Sequence, residues 1–259
     1  MQTGNDIILQ CSRLWLNFGG LTALADITFD IKAGEILSII GPNGAGKTSL
    51  LNCISGFYRP QQGEITYKGK NITAMPSYKR AAIGIARTFQ NIQLYTGLTA
   101  RANLMAARHT KYNPSAFWGA IFFGRERSKE IKQCTIVEKV IDLLEMESIR
   151  EATVGGLSYG QRKLVDLGRA LALEPDLLLL DEPMAGLNME EKEDMARFIL
   201  DVAETSNPSI VMIEHDMGVV MDISERIIVI DFGKIIAQGP PEEIGANDKV
   251  IKAYLGDNI

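Results

Sequence analysis

The segment Gly41-Pro42-Asn43-Gly44-Ala45-Gly46-Lys47-Thr48 constrains this chain more than any other. It fits the pattern G-x-x-x-x-G-K-[ST], the P-loop, and it lies where such a loop must lie. The apolar run 36–40, typical of a buried strand, precedes it, and a helix from about Lys47 follows, which Gly56 can close in a left-handed cap. Glycines let backbone N–H groups turn inward around phosphate oxygens, and a helix N-terminus adds positive partial charge. In that arrangement Lys47 reaches the β- and γ-phosphates, the Thr48 hydroxyl ligates Mg²⁺, and Ser49 completes the phosphate-binding stretch. An ordinary Gly-rich turn does not account for the strand-loop-helix context.

Four leucines, residues 177–180, run straight into Asp181-Glu182-Pro183. A buried strand that delivers carboxylates at its C-terminal end is the second half of a nucleotide-triphosphate site. Asp181 is expected to hold Mg²⁺ through water, and Glu182 to lie closer to the γ-phosphate, where it polarises an attacking water. Alone, the segment reads as a strand with a solvated acidic turn; the P-loop tips the balance. In Leu157-Ser158-Tyr159-Gly160-Gln161, Ser158 and Gln161 have capping-box spacing at the start of an amphipathic stretch. An ordinary helix start explains that spacing, yet a hydroxyl and N–H groups at a helix N-terminus also make an anion site.

The remaining pattern alternates strands and helices. Residues 7–16 and 22–31 read as β structure around Gly19-Gly20, 64–67 and 71–73 as a hairpin, and 83–88 as a further strand. From 99 to about 154 the pattern is helical, and a helix then runs to 173. Residues 190–203 form a charged amphipathic helix, 210–213 and 226–230 are strands, and 234–237 pairs beside them. Asn247 can cap a last helix that Gly256 stops. This order implies an α/β core with a mainly parallel sheet, a β-rich start and a helical insertion. A length of 259 residues favours one large domain, and 46% apolar with 23% charged residues excludes a largely disordered chain.

Charge narrows the function further. With 27 basic and 32 acidic residues the net charge is −5, which argues against a nucleic-acid partner. Cys11, Cys53 and Cys134 are sparse and lack metal-ligand spacing, as expected of reduced cytoplasmic thiols. No charge-free stretch reaches the roughly 18 residues of a membrane span, and the first residues lack a signal-peptide pattern. In 112–124, Phe117, Trp118, Ile121, Phe122 and Phe123 adjoin basic residues from Arg125 onward. Packing within the helical part is the expected role, with contact to a membrane-embedded partner or the lipid interface as the alternative.

Together the P-loop, Asp181-Glu182 and Leu-Ser-Tyr-Gly-Gln resemble the motif set of ABC-type ATPases, with Tyr159 in the third place of the L-S-G-G-Q signature. The resemblance covers nearly the whole chain and implies a P-loop NTPase fold, an ABC nucleotide-binding domain. Residues 1–98 and 165–259 would form the β part and core, and 99–164 the helical signature subdomain. It implies ATP and Mg²⁺ as cofactors. Gln90 in Arg87-Thr88-Phe89-Gln90 matches the Q-loop glutamine, which contacts Mg²⁺ or the attacking water and senses the membrane partner. His215 matches the switch histidine that holds the γ-phosphate. Phe18 matches the aromatic that stacks on adenine, although a phenylalanine before Gly19-Gly20 also suits a core. Ser158, Gly160 and Gln161 match the signature residues that face the partner's nucleotide. Ala185-Gly186-Leu187-Asn188 matches the D-loop, with Asn188 where many members carry Asp.

The segments Asp-Glu-Pro-Met-Ala-Gly-Leu-Asn, Ile-Glu-His-Asp-Met and Ala253-Tyr254-Leu255-Gly256 are similar to the ATPases of branched-chain amino-acid importers. That similarity implies a second ABC ATPase subunit, two membrane permeases, an indirect periplasmic binding protein and a place on the cytoplasmic face of the membrane. ATPases for related solutes and a lipopolysaccharide exporter share much of the pattern, and so does a soluble ABC ATPase of cofactor or complex assembly. The stretch between Lys47 and Leu157 is too short for the coiled coil of chromosome-type members.

Overall fold

A computed structural model describes residues 7–108 and 125–255; for 125–129, 254 and 255 only the backbone is described. The aromatic segment 112–124 and Gly256 lie outside the described residues. β1 (Ile7–Phe18) and β2 (Leu21–Lys32) pair antiparallel around Gly19-Gly20. β3 (Ile36–Ile40) leads to α1 (Lys47–Ser55), which ends at Gly56 with φ +82°, the expected left-handed cap. β4 (Gln62–Tyr67) adds to β1, and β5 (Lys70–Asn71) adds to β4. The second arm of this hairpin is shorter than expected. Ile72 N–H still donates to Ile65 O, but Thr73 Oγ1 accepts from Ile65 N–H and Asn71 Oδ1 from Thr73 N–H, so side chains take over where the ladder ends.

The strand expected over 83–88 shrinks to β6 (Ile85–Arg87), because α2 (Ser77–Ala82) precedes it and Gly84 turns the chain at φ +102°. The helical middle comprises α3 (Ala100–Arg108), α4 (Arg125–Leu143), a 3₁₀ turn at Val154–Gly156 and α5 (Tyr159–Leu171). α5 continues through 164–165 without a break, and it stops short of the expected residue 173 as its last carbonyls are closed by tighter turns.

Then come β7 (Leu177–Asp181), α6 (Met189–Ser206), β8 (Ser209–Ile213), α7 (Met217–Ile223), β9 (Arg226–Asp231), β10 (Lys234–Gly239), α8 (Pro241–Gly245) and α9 (Asp248–Leu255). Asn247 Oδ1 accepts from Lys249 N–H, as its place before α9 suggests.

Two sheets result, a four-stranded antiparallel one in the order β2-β1-β4-β5 and a six-stranded one in the order β10-β9-β3-β8-β7-β6. All neighbours in the larger sheet run parallel except the antiparallel edge pair β9–β10. Every residue of β3, β7 and β8 is buried, as central parallel strands covered on both faces require. One core layer fills the space between the sheets around α1, and another packs α3 to α6 against the far face. Because β3, β6, β7 and β8 are parallel, their C-terminal ends share one edge, the place where α/β sheets bind ligands.

Candidate active site

The loop after β3 is built around its glycines. Gly41 has φ +149°, and a Cβ there would overlap the Ile230 carbonyl; Gly46 has φ +105°, and its Cβ would overlap the Ala23 carbonyl. No side chain caps α1, and its first turn holds no acidic residue, so the helix presents its N-terminal N–H groups and dipole to an anion. Lys47 is 6% exposed, and its Nζ donates to Gly41 O at 2.6 Å and Pro42 O at 2.9 Å. Burial lowers its pKa, opposed by Glu182 and Asp181.

At the end of β7, Glu182 is held on every side. Its φ of +51° is unusual for a residue with a side chain, and more so before a proline. Its N–H donates to Ile213 O at 3.0 Å, and its carbonyl accepts from Lys163 Nζ at 2.7 Å. Gln90 Nε2 donates to Glu182 Oε2 at 2.9 Å, and His215 Nε2 pairs with Oε1 at 3.0 Å. Three residues expected to act together, Gln90, Glu182 and His215, thus come from the ends of β6, β7 and β8 and meet at one carboxylate. Strained backbone fixed by so many partners marks an over-determined position, as functional sites do.

Asp181 is 1% exposed, and Arg87 Nη2 donates to its Oδ2 at 2.7 Å. Burial raises the Asp181 pKa, and the Arg87 hydrogen bond and charge pull it back. Its other oxygen, Oδ1, is buried with no hydrogen-bond partner among the described residues. That orphan oxygen, the Thr48 hydroxyl and the Gln90 amide are hard oxygen donors, and they fit Mg²⁺ arriving with phosphates. The described residues contain no cluster of three or more His, Cys, Asp or Glu able to hold a metal on its own.

Two further groups escaped the sequence. Glu214 is 3% exposed and accepts from Met184 N–H at 2.8 Å and His215 N–H at 3.0 Å, so it anchors the chain on both sides of the site. Its burial raises its pKa, against those N–H donors. Lys163 is buried near Glu214, Asp166, Glu182 and Asp181, and burial lowers its pKa against these charges. The i+2 spacing of Lys163 from Gln161 gave no hint, because its bond to the Glu182 carbonyl depends on a distant segment.

The chain matches the ABC transporter family model over residues 24–185. It is 38% identical over 250 residues to the high-affinity branched-chain amino acid transport ATP-binding protein BraF of Pseudomonas aeruginosa, covering 96% of this chain and 98% of that protein. This chain belongs to the ABC transporter family. Residues 234–258 also match the branched-chain amino acid ATP-binding cassette transporter model. LivG of Escherichia coli, a high-affinity branched-chain amino acid transport ATP-binding protein, is 37% identical over 253 residues, with 96% and 98% covered.

Among solved structures, a nucleotide-free ATP-binding cassette from an ABC transporter superposes with a TM-score of 0.84 at 28% identity, covering 97% of this chain and all of that one. An ADP-bound cassette of an ABC transporter gives 0.84 at 29% identity, with 97% of this chain and 100% of that one covered. A dimeric cassette bound to ADP and Pi gives 0.75 at 25%, with 90% and 98% covered.

Other candidate residues of this ABC cassette lie apart from the Glu182 cluster. Phe18 is 45% exposed and meets Tyr58 edge-on at 5.2 Å, so it is a surface aromatic and not a core residue. Ser158 and Gln161 form the expected capping box: Gln161 N–H donates to Ser158 Oγ at 3.2 Å and Ser158 N–H to Gln161 Oε1 at 3.0 Å. Within one chain these signature residues bond to each other rather than to the P-loop. Gly160 sits where a Cβ would meet the Glu191 side chain, and the Tyr159 ring lies over Gly186. Asn188 caps α6 in a second box with Glu191.

Proposed function

We propose that this chain is the ATP-hydrolysing subunit of an ABC importer for branched-chain or related hydrophobic amino acids. The observation that carries the ATPase reading is Glu182, placed by strained backbone and gripped by Gln90 and His215 at the strand edge that bears the P-loop. The solute class is supported by relatives matched along almost their whole length.

In this reading the loop 41–46 and Ser49 wrap the phosphates with N–H groups, and Lys47 swings from the Gly41 and Pro42 carbonyls to the β- and γ-phosphates. Phe18 stacks on adenine. Thr48, Gln90 and Asp181 would hold Mg²⁺, which supplies charge neutralisation of the phosphate oxygens. Glu182 accepts the proton of the attacking water, oriented by Gln90 and His215. Residues 99–164 form the signature subdomain, whose Ser158, Gly160 and Gln161 contact nucleotide held by a second ABC ATPase subunit. Gln90 lies on the path to permease subunits, with a periplasmic binding protein acting indirectly, and the cassette works at the cytoplasmic face of the membrane. No helix among the described residues is long and apolar enough to cross a membrane.

Co-purification with integral membrane proteins, followed by ATP-dependent uptake of labelled leucine in vesicles holding the assembled complex, tests the reading. Uptake that needs Glu182 supports it. Recovery with soluble partners alone contradicts it.

A further inference from the structure

Arg87 ends β6, three residues before Gln90, and no motif gives it a task. Its guanidinium joins three segments. Nη2 donates to Asp181 Oδ2 at 2.7 Å, while Nη1 donates to Asn52 Oδ1 at 2.6 Å and Ser55 Oγ at 2.9 Å, both on the P-loop helix α1. The rings of Phe57 and Phe89 stand 5.8 Å and 5.1 Å from Cζ and meet each other edge-on, so the fork is clamped as well as bonded. The ion pair is out of water, with side chains 7% and 1% exposed.

The consequence for Asp181 is a division of labour between its oxygens. Oδ2 is committed to Arg87, and Oδ1 is buried with no hydrogen-bond partner among the described residues. A buried carboxylate with nothing to fix it rotates toward whichever donor is nearest. Here the guanidinium sets the rotamer and leaves one oxygen over. We propose that Arg87 is a positioning residue for the metal of the nucleotide site: it holds Asp181 so that Oδ1 stays available, and it ties that orientation to α1, which starts at Lys47 and Thr48. The proposal rests on the reading of Asp181 as a Mg²⁺-holding residue.

Two roles for Arg87 differ in sign. As a bare positive charge it repels a divalent cation, so removing it would tighten metal binding. As a positioner it orients a ligand, and losing such an outer partner weakens metal affinity by about 10- to 100-fold. A third role, a plain staple between β6, α1 and β7, would affect the nucleotide site whether or not metal is present.

The test is equilibrium binding of a fluorescent ATP analogue to the full chain, in EDTA and across a Mg²⁺ titration. Arg87→Met is expected to match the parent in EDTA and to need about 10- to 100-fold more Mg²⁺ to reach the metal-enhanced affinity. A Mg²⁺ midpoint that is unchanged or lower, or an equal loss of binding in EDTA, overturns the proposal. Should Arg87→Met fail to fold, Arg87→Lys decides, since an ammonium cannot span Asp181, Asn52 and Ser55 at once. A raised midpoint with intact EDTA binding supports the proposal, and a parental midpoint overturns it. Asp181→Ala separates the two layers. If it shifts the midpoint and the Arg87 variants do not, only the Arg87 proposal fails; if it shifts nothing, the metal role of Asp181 fails.

Discussion

The helices α1 and α5 begin in opposite ways. α1 starts after Gly46, with no side-chain cap and no acid in its first turn, and Lys47 folds back over the loop. α5 starts with a closed box in which Ser158 and Gln161 satisfy each other's N–H groups. An open N-terminus in a glycine cradle gains most when an anion arrives, whereas a capped one is already stable. In the proposed function these two starts meet different partners: the α1 end takes a phosphate bound by this chain, and the α5 end meets one that a second cassette carries into place.

The contrast can be broken from the α1 side first. Glu182→Gln is expected to retain ATP binding while phosphate release falls by about 10²- to 10⁴-fold, the usual worth of a general base. Parental phosphate release would remove Glu182 from the chemistry. Lys47→Ala comes next: each charge-assisted hydrogen bond lost to a phosphate costs about 1.5–3 kcal/mol, read as weaker nucleotide binding by calorimetry. Phe18→Ala should weaken ATP affinity by about 1–3 kcal/mol if the ring stacks as aromatics do on bases, with Phe18→Tyr near parental. Equal affinity in both variants would leave Phe18 as a surface ring packed on Tyr58. On the α5 side the smallest effect is expected. Ser158→Ala should lower stability by about 1 kcal/mol in thermal or urea unfolding and leave ATP binding by the isolated chain alone.

What the sequence made legible was local. The P-loop is eight contiguous residues, the carboxylates follow an unbroken leucine strand, and the α5 cap is a spacing of three. Each states its geometry within one turn or one strand. Phe18 needed the fold, because the same Phe-Gly-Gly suits a surface or a core. Arg87 was written beside Gln90, yet its partners lie 32, 35 and 94 positions away, and only the β6–β7 pairing and the packing of α1 bring them together. α7 was missed for a related reason. Val219 and Val220 are poor helix formers, and the helix is held by Val220 and Ile223 packing into the core. Helix α2, with one buried residue, Arg80, carried no periodic apolar signal at all.

Ser158→Arg probes the division between α1 and α5 at its source, by equilibrium binding of Mg-ATP to the isolated chain. Affinity is expected within about 0.5 kcal/mol of the parent if, as proposed, the altered surface faces another subunit's nucleotide. ATP-driven association with the partner cassette, followed in the same samples by sedimentation on a Glu182→Gln background, should be lost. Abolished ATP binding by the isolated Ser158→Arg chain would mean that the signature completes this chain's own site, and the division between α1 and α5 would be wrong.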